Sequence, residues 1–252
     1  MSTAPNNSAL KRRLDRYFWA NDTGEMAFLR QVLEDRFFAF DRIAVIGGLV
    51  RDFAREGREG FRSDLDLVID GPPDRVAAFA AGLGATSNRF GGFGCKLGPW
   101  MIDFWALETT WARRHRHVPV HRLEDVVECT FFDWDAIAYD LKARRLICAD
   151  DYLGRIRERT LDINLLPNPS PLGNLVRTVR RLVLWQLQAG PSLQRFIGDH
   201  LDEAALRFIQ AKETELYCSA VSTQWSSAEE ARTGLLSDIR SRNGMQIELL
   251  LE

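Results

Sequence analysis

Asp64 and Asp66, in the segment SDLDLVID, stand two residues apart, so a strand would project both carboxylates from one face within reach of a shared cation. A hard divalent ion such as magnesium takes oxygen ligands of this kind and keeps water and substrate phosphates in the rest of its shell. Their neighbours Leu65, Leu67, Val68 and Ile69 are apolar, which puts the acids in a core-like strand where uncompensated charge is expensive. A bare pair of this spacing is usually a solvated edge, but Asp103 adds a third acid, alone in the apolar run WMIDFWAL. Two magnesium ions, or manganese in their place, held by three carboxylates align a nucleophilic hydroxyl with a phosphorus atom and stabilise a departing pyrophosphate.

Upstream, Gly47 and Gly48 close the apolar run RIAVI, and LVRDFAREG follows as a short helix. A glycine pair at a strand end is either a tight turn or a place where backbone N–H groups approach an anion with no Cβ in the way. The positive end of the following helix points at the same place. Arg51, about one turn in, adds a charge-assisted contact to a phosphate oxygen.

The elements that position these residues follow from periodicity. Gly24 to Phe38 puts Met26, Leu29, Val32, Leu33 and Phe37 on one helical stripe. DLDLVID alternates, with Asp64, Asp66 and Val68 on one face and Leu65, Leu67 and Ile69 on the other. GPPDRVAAFAAGLG is a turn and a helix whose start suits proline and aspartate. Strands are expected around Gly94–Leu97 and Trp100–Leu107, and AIAYDLKARRLICA reads as a hairpin turning near Lys142–Arg144. The order implies an α+β protein with a mixed sheet covered by helices. Prolines in LLPNPSPLG mark a boundary, giving a domain over residues 1–167 and a helical region over 168–252. Met1 to about Ser8 reads as frayed.

The 33 Lys and Arg against 35 Asp and Glu leave no global positive field, so a polyanionic partner needs a local patch. RRHRHVPVHR supplies one, with Arg113, Arg114, Arg116 and Arg122 either touching an RNA backbone or lying in a solvated loop. Its histidines, His115, His117 and His121, invite zinc, but the adjacent arginines repel a cation. Trp100, Trp105 and Trp111 either stack on bases or belong to the core. Arg177 and Arg180, three apart on one helical face, brace the acids, reach phosphate or form a surface ion pair. Cys95, Cys129, Cys148 and Cys218 form no CxxC pair and read as reduced thiols. No run approaches the roughly 18 apolar residues of a membrane span, and the N-terminus lacks a signal core, so a cytoplasmic protein with no membrane partner is expected.

Together GGLVRD (Gly47 to Asp52), DxD (Asp64 and Asp66) and the later Asp103 resemble the polymerase β-type nucleotidyltransferase superfamily. Within it the chain is most similar to the head domain of bacterial class II CCA-adding tRNA nucleotidyltransferases and poly(A) polymerases. FGGFGCKLGPWMIDFW resembles the hairpin before that family's third aspartate, and NLVRTVRRLVL its neck motif, with Arg177 and Arg180 at the arginine positions. The similarity spans roughly Asp41 to Trp185. It implies a mixed, mostly antiparallel sheet followed by a helical neck. It also implies that Gly47, Gly48, Arg51, Asp52, Arg177 and Arg180 meet the nucleotide. Asp64, Asp66 and Asp103 would be the catalytic, magnesium-holding acids, with Asp103 helping to deprotonate the acceptor. The implied reaction moves a nucleoside monophosphate from an NTP, ATP or CTP being favoured, to the 3′ hydroxyl of an RNA such as tRNA.

Two departures from that family stand out. LEDVVECTFFDWDAIAYD keeps Leu123, Glu124, Asp125 and the AIAY end, but Glu128, Cys129 and Thr130 stand where Arg-Arg-Asp is expected, with Asp135 at or beside the asparagine position. The base-selecting EDxxR is approached only by Asp202, Glu203 and Arg207, with one residue too many. Nucleotidylation of a protein or small molecule, as in a toxin or defence enzyme, and a non-catalytic nucleotide- or RNA-binding module therefore stay open. The sequence does not express an oligomeric state.

Overall fold

The computed structural model describes residues 3–57, 64–217 and 219–237, so Cys218 lies outside the described residues. Two compact units divide the chain: Met1–Arg157 with Asn164–Pro167, and Glu158–Ile163 with Asn168–Glu252.

The first unit is built on a seven-stranded sheet. Its strands are β1 (Arg42–Ile46), β2 (Leu65–Asp70), β3 (Thr86–Ser87), β4 (Phe93–Leu97), β5 (Trp100–Ala106), β6 (Ile137–Asp140) and β7 (Arg145–Cys148), in the spatial order β3-β4-β5-β2-β1-β6-β7. Every neighbouring pair is antiparallel except β2 and β5. The sheet is thus mixed and mostly antiparallel.

Alternation gives the sheet one apolar face, on which Val45, Leu67, Phe104 and Tyr139 lie in line across four strands. Helices α1 (Asn7–Trp19), α2 (Gly24–Asp35) and α4 (Pro73–Gly82) belong to this unit, and α3 (Gly48–Arg55) follows β1 directly. On the apolar face Phe18 of α1 stacks on Tyr139 at 5.8 Å, while Phe37 and Phe79 of α4 meet Phe104 edge-on at 5.5 and 5.8 Å.

From Thr3 on the N-terminal segment is ordered rather than frayed, and Met1 and Ser2 lie outside the described residues. Ala4 is buried and donates its N–H to Ala54 O at 2.8 Å, and the Asn6 side chain accepts from Ala9 N at 2.8 Å to cap α1. Leu10, Leu14, Tyr17 and Phe18 then bury one face of that helix.

The basic stretch after β5 is likewise more than a solvated loop. It forms a 3-10 turn (Leu107–Thr109), a short helix α5 (Trp111–Arg114) and a 3-10 segment (Leu123–Cys129). Leu107, Ala112, Val118, Val120, Leu123 and Val126 pack on Ala44, Val68 and Ala138 of the second sheet face. Arg114, His115, Arg116, His117, His121 and Arg122 face outward.

Glu124 clamps this cover to the sheet. Arg42 donates to it twice, Nη1 to Oε2 at 3.1 Å and Nη2 to Oε1 at 2.8 Å, and Arg145 donates to the same carboxylate. Arg42 also reaches Asp140, whose Oδ1 caps the β6–β7 turn through Lys142 N and Ala143 N. The Arg42 bonds hold the Glu124 carboxyl down at about 2, against an ordinary 4.5. Glu124→Gln is expected to cost about 1.5–3 kcal/mol at neutral pH, read by urea unfolding. Because the folded value is depressed, the contribution is present above 4.5 and lost as pH falls toward 2, so the two proteins should converge in acid.

After α6 (Tyr152–Glu158), the second unit packs α7 (Pro171–Leu184), α8 (Pro191–His200), α9 (Glu203–Leu216) and α10 (Ala228–Leu236) together with a two-stranded parallel pair, β8 (Thr160–Leu161) and β9 (Gln188–Ala189). Among the described residues no helix is long and apolar enough to cross a membrane.

Candidate active site

β1 leaves the sheet at Ile46, one residue past the Val45–Leu67 pair, which sets the glycine elbow beside Asp66. Gly47 turns the chain with φ 70° and ψ −118°, a conformation that side-chain-bearing residues rarely adopt. Its N–H donates to Ile137 O at 3.0 Å, and its carbonyl accepts the first α3 bond from Arg51 N at 2.9 Å. The amides of Gly48, Leu49 and Val50 precede that bond, so they, rather than Gly47's, are the ones an anion at this helix end would meet.

Arg51 turns inward. It is 6% exposed, its Nε donates to Asp52 Oδ1 at 2.9 Å, and its Nη1 donates to Asp135 Oδ1 at 2.5 Å. Burial works against the guanidinium charge, and the Asp135 and Asp52 carboxylates outweigh it and raise its pKa. A phosphate at Arg51 would therefore compete with two carboxylates already in place.

Asp66 and Asp103 are direct partners in the parallel register of β2 and β5 and so share one face. Asp64, exposed, immediately precedes β2. Burial, and then the charge of Asp64, hold the Asp103 carboxyl above the ordinary carboxylate range. Gly94 lies opposite Asp103 on β4, and a Cβ there would fall 2.5 Å from Asp103 Oδ1. Trp105 lies over Gly92 in the same way, 2.2 Å from a Cβ at that position, and alternation along β5 puts it on the face of Asp103 rather than in the core beneath.

As donors, three carboxylates approaching one face suit a hard divalent ion. Among the described residues no group of three His, Cys, Asp or Glu is gathered to hold a metal ion.

The other sequence candidates separate. Arg113 pairs with Glu108 at 3.4 Å and Arg122 with Asp125 at 3.1 Å, while Arg114 and Arg116 are exposed. Trp111 packs against His115 and His117 at 4.8 and 4.9 Å, and Trp100 donates Nε1 to Glu25 O at 3.1 Å. Arg177 and Arg180 lie on α7 of the second unit. Arg177 is exposed, whereas Arg180 donates to buried Glu213 at 2.9 Å and to Ser219 O at 2.7 Å, with Tyr217 stacked on its guanidinium. Asp202 caps α9 through Ala205 N, and Glu203 accepts from Ala228 N, so both acids of the nearest EDxxR match are engaged in the backbone.

At the Arg-Arg-Asp positions, burial pushes the Cys129 thiol up to about 12, and Thr130 Oγ1 donates within its own turn to Phe132 O at 3.0 Å. Cys148 is pushed to about 11. Both thiols are therefore protonated at neutral pH. Glu128 and Cys148 border a cavity of about 490 Å³ along β7, at the far edge of the sheet from β5 and its acid.

The mixed seven-stranded sheet, with the glycine elbow at the end of β1, is a fold that this chain shares with solved tRNA nucleotidyltransferase structures. Among solved structures, the chain is similar to a CCA-adding enzyme in complex with CTP, at a TM-score of 0.54 and 18% identity over 89% of this chain and 54% of that one. It is also similar to a tRNA nucleotidyltransferase complexed with a primer tRNA and an incoming ATP analogue (0.52, 19%, 82% and 61%). The Thermotoga maritima CCA-adding enzyme complexed with tRNA is a third (0.52, 18%, 82% and 48%). The chain thus spans about half to three fifths of the length of these structures, and identities this low show the fold alone. No protein-family model matches the chain, and no protein of curated function matches its sequence.

Proposed function

We propose that this protein is a magnesium-dependent nucleotidyltransferase that moves a nucleoside monophosphate from an NTP, ATP or CTP, to the 3′ hydroxyl of an RNA, most naturally a tRNA. The observation that carries the reading is the parallel register of Asp66 and Asp103 beside the glycine elbow, which joins a hard-cation donor set to a helix end suited to phosphate. The solved neighbours include complexes with CTP, with an ATP analogue and with tRNA, which supports this choice of substrates.

In this reading Asp64, Asp66 and Asp103 hold the divalent ions, which supply charge neutralisation at the transferring phosphorus. The Gly48, Leu49 and Val50 amides receive the triphosphate tail. The acceptor hydroxyl oxygen bonds to the α-phosphorus, the bond from that phosphorus to the bridging oxygen breaks, and pyrophosphate departs with the electron pair. Asp103, whose carboxyl is held up by burial, takes the hydroxyl proton. Arg51 and Asp52 set the elbow, and the exposed Arg114 and Arg116, with Arg113 and Arg122, meet the RNA backbone. The two units correspond to a catalytic head and a helical neck, with Arg177 available on the neck surface.

The test incubates the protein with each labelled NTP, magnesium and total RNA beside an Asp64→Ala/Asp66→Ala variant. Label should enter RNA with the unmutated protein alone. Equal labelling by both would remove the assigned chemistry, and label on polypeptide instead would move the acceptor to a protein side chain.

A further inference from the structure

Gly94 is a glycine without a backbone reason. Gly91 and Gly98, in the same stretch of chain, have φ of 87° and 57°, whereas Gly94 lies in β4 and is not among the positive-φ residues. A glycine inside a strand weakens it and leaves nothing to pack, so such a position commonly marks the close approach of another group. Here the group is Asp103, whose Oδ1 lies 2.5 Å and Cγ 3.7 Å from where a Cβ would stand. Real Cβ contacts essentially never fall below 3.0 Å.

The lean has an electrostatic consequence. Asp66 is the direct partner of Asp103 on one side, and Gly94 is its direct partner on the other. Like charges placed opposite one another on neighbouring strands repel. Leaning over Gly94 carries the Asp103 carboxylate away from Asp66, and rotation about χ1 between staggered wells would carry it back.

We propose that Gly94 is a positioning residue that gives Asp103 a berth outside the acid cluster, from which a divalent cation draws it in. The inference rests on the reading of Asp64, Asp66 and Asp103 as metal ligands. The berth lowers the repulsion among the three acids at the expense of cation affinity, because binding must first bring Asp103 across. An alanine at position 94 fills the berth and pre-forms the cluster.

The test compares unmutated protein, Gly94→Ala, Asp103→Ala and the double variant, each melted in EDTA and then in rising magnesium or manganese. Gly94→Ala should melt lower in EDTA, show a larger cation-induced rise, and reach half-effect at severalfold lower cation. In the Asp103→Ala background the same alanine should cost little, because the clashing carboxylate is gone. Weaker or unchanged cation binding by Gly94→Ala overturns the inference, as does an equal loss with and without Asp103. Should Gly94→Ala fail to fold, recovery in the double variant supports the contact and failure there overturns it. If unmutated protein responds to neither cation, the metal reading itself falls and takes the inference with it. A normal response with unchanged Gly94→Ala removes the inference alone.

Discussion

Asp103→Asn is expected to abolish nucleotidyl transfer while leaving the fold intact. The amide keeps the shape of the side chain and loses the charge that would hold a cation and the basicity that would accept the hydroxyl proton. Charge stabilisation by a bound metal is worth several kcal/mol at the transition state, and each 1.36 kcal/mol is tenfold, so a loss of about 100-fold or more is expected. Stability should move the other way. Burial and the Asp64 charge both oppose ionisation of Asp103, so a neutral isostere removes an unfavourable charge, and melting in EDTA should be unchanged or higher. Transfer of labelled NMP and a melting curve on the same preparation decide it. A variant retaining a tenth of the rate would dismiss Asp103 from the reaction, and one losing both rate and fold would make it a scaffold residue.

The parts of this site that are legible in the sequence are local. DLDLVID declares its strand and its acid face through period-two alternation, and the pair of glycines after RIAVI declares the elbow. Asp103 stands out as the acid in an apolar run, but its place beside Asp66 depends on β5 inserting next to β2 in parallel, which no local pattern specifies. Arg51 and Asp135 lie 84 residues apart, so the partner that turns Arg51 inward could not be read from GGLVRD. Arg180 shows the same limit, since its spacing from Arg177 defines a helix face without revealing Glu213. In the cover segment the arginines and histidines dominate the sequence, while the residues that dock it, Ala112, Val118 and Val120, are small and irregularly spaced. Helix α1 is absent from the sequence expectations, which take Met1 to about Ser8 as frayed, although its signals are present: Asn6 is a good cap, and Leu10, Leu14, Tyr17 and Phe18 repeat at helical spacing.

Arg51→Met should be the most destabilising single change at the elbow. It removes the guanidinium from between Asp52, 2% exposed, and Asp135, and leaves carboxylates in a place where uncompensated charge is costly. Breaking a buried pair from one side typically costs about 3–5 kcal/mol, which for a unit of this size corresponds to a fall in Tm on the order of 10 °C. Arg51→Lys should lie between, because an ammonium keeps the charge but cannot present the fork that meets both acids. Adding Asp135→Asn to Arg51→Met should restore part of the loss, since the two residues interact directly and their effects cannot be additive. Thermal melting of the three variants distinguishes two roles for the same arginine. A structural Arg51 lowers Tm with or without nucleotide. A phosphate-binding Arg51 would leave the melt in buffer nearly unchanged and remove only the rise produced by NTP. With its fork occupied by Asp52 and Asp135, Arg51 is expected to follow the first pattern, and under the proposed function the elbow it braces would present the Gly48 to Val50 amides to the nucleotide.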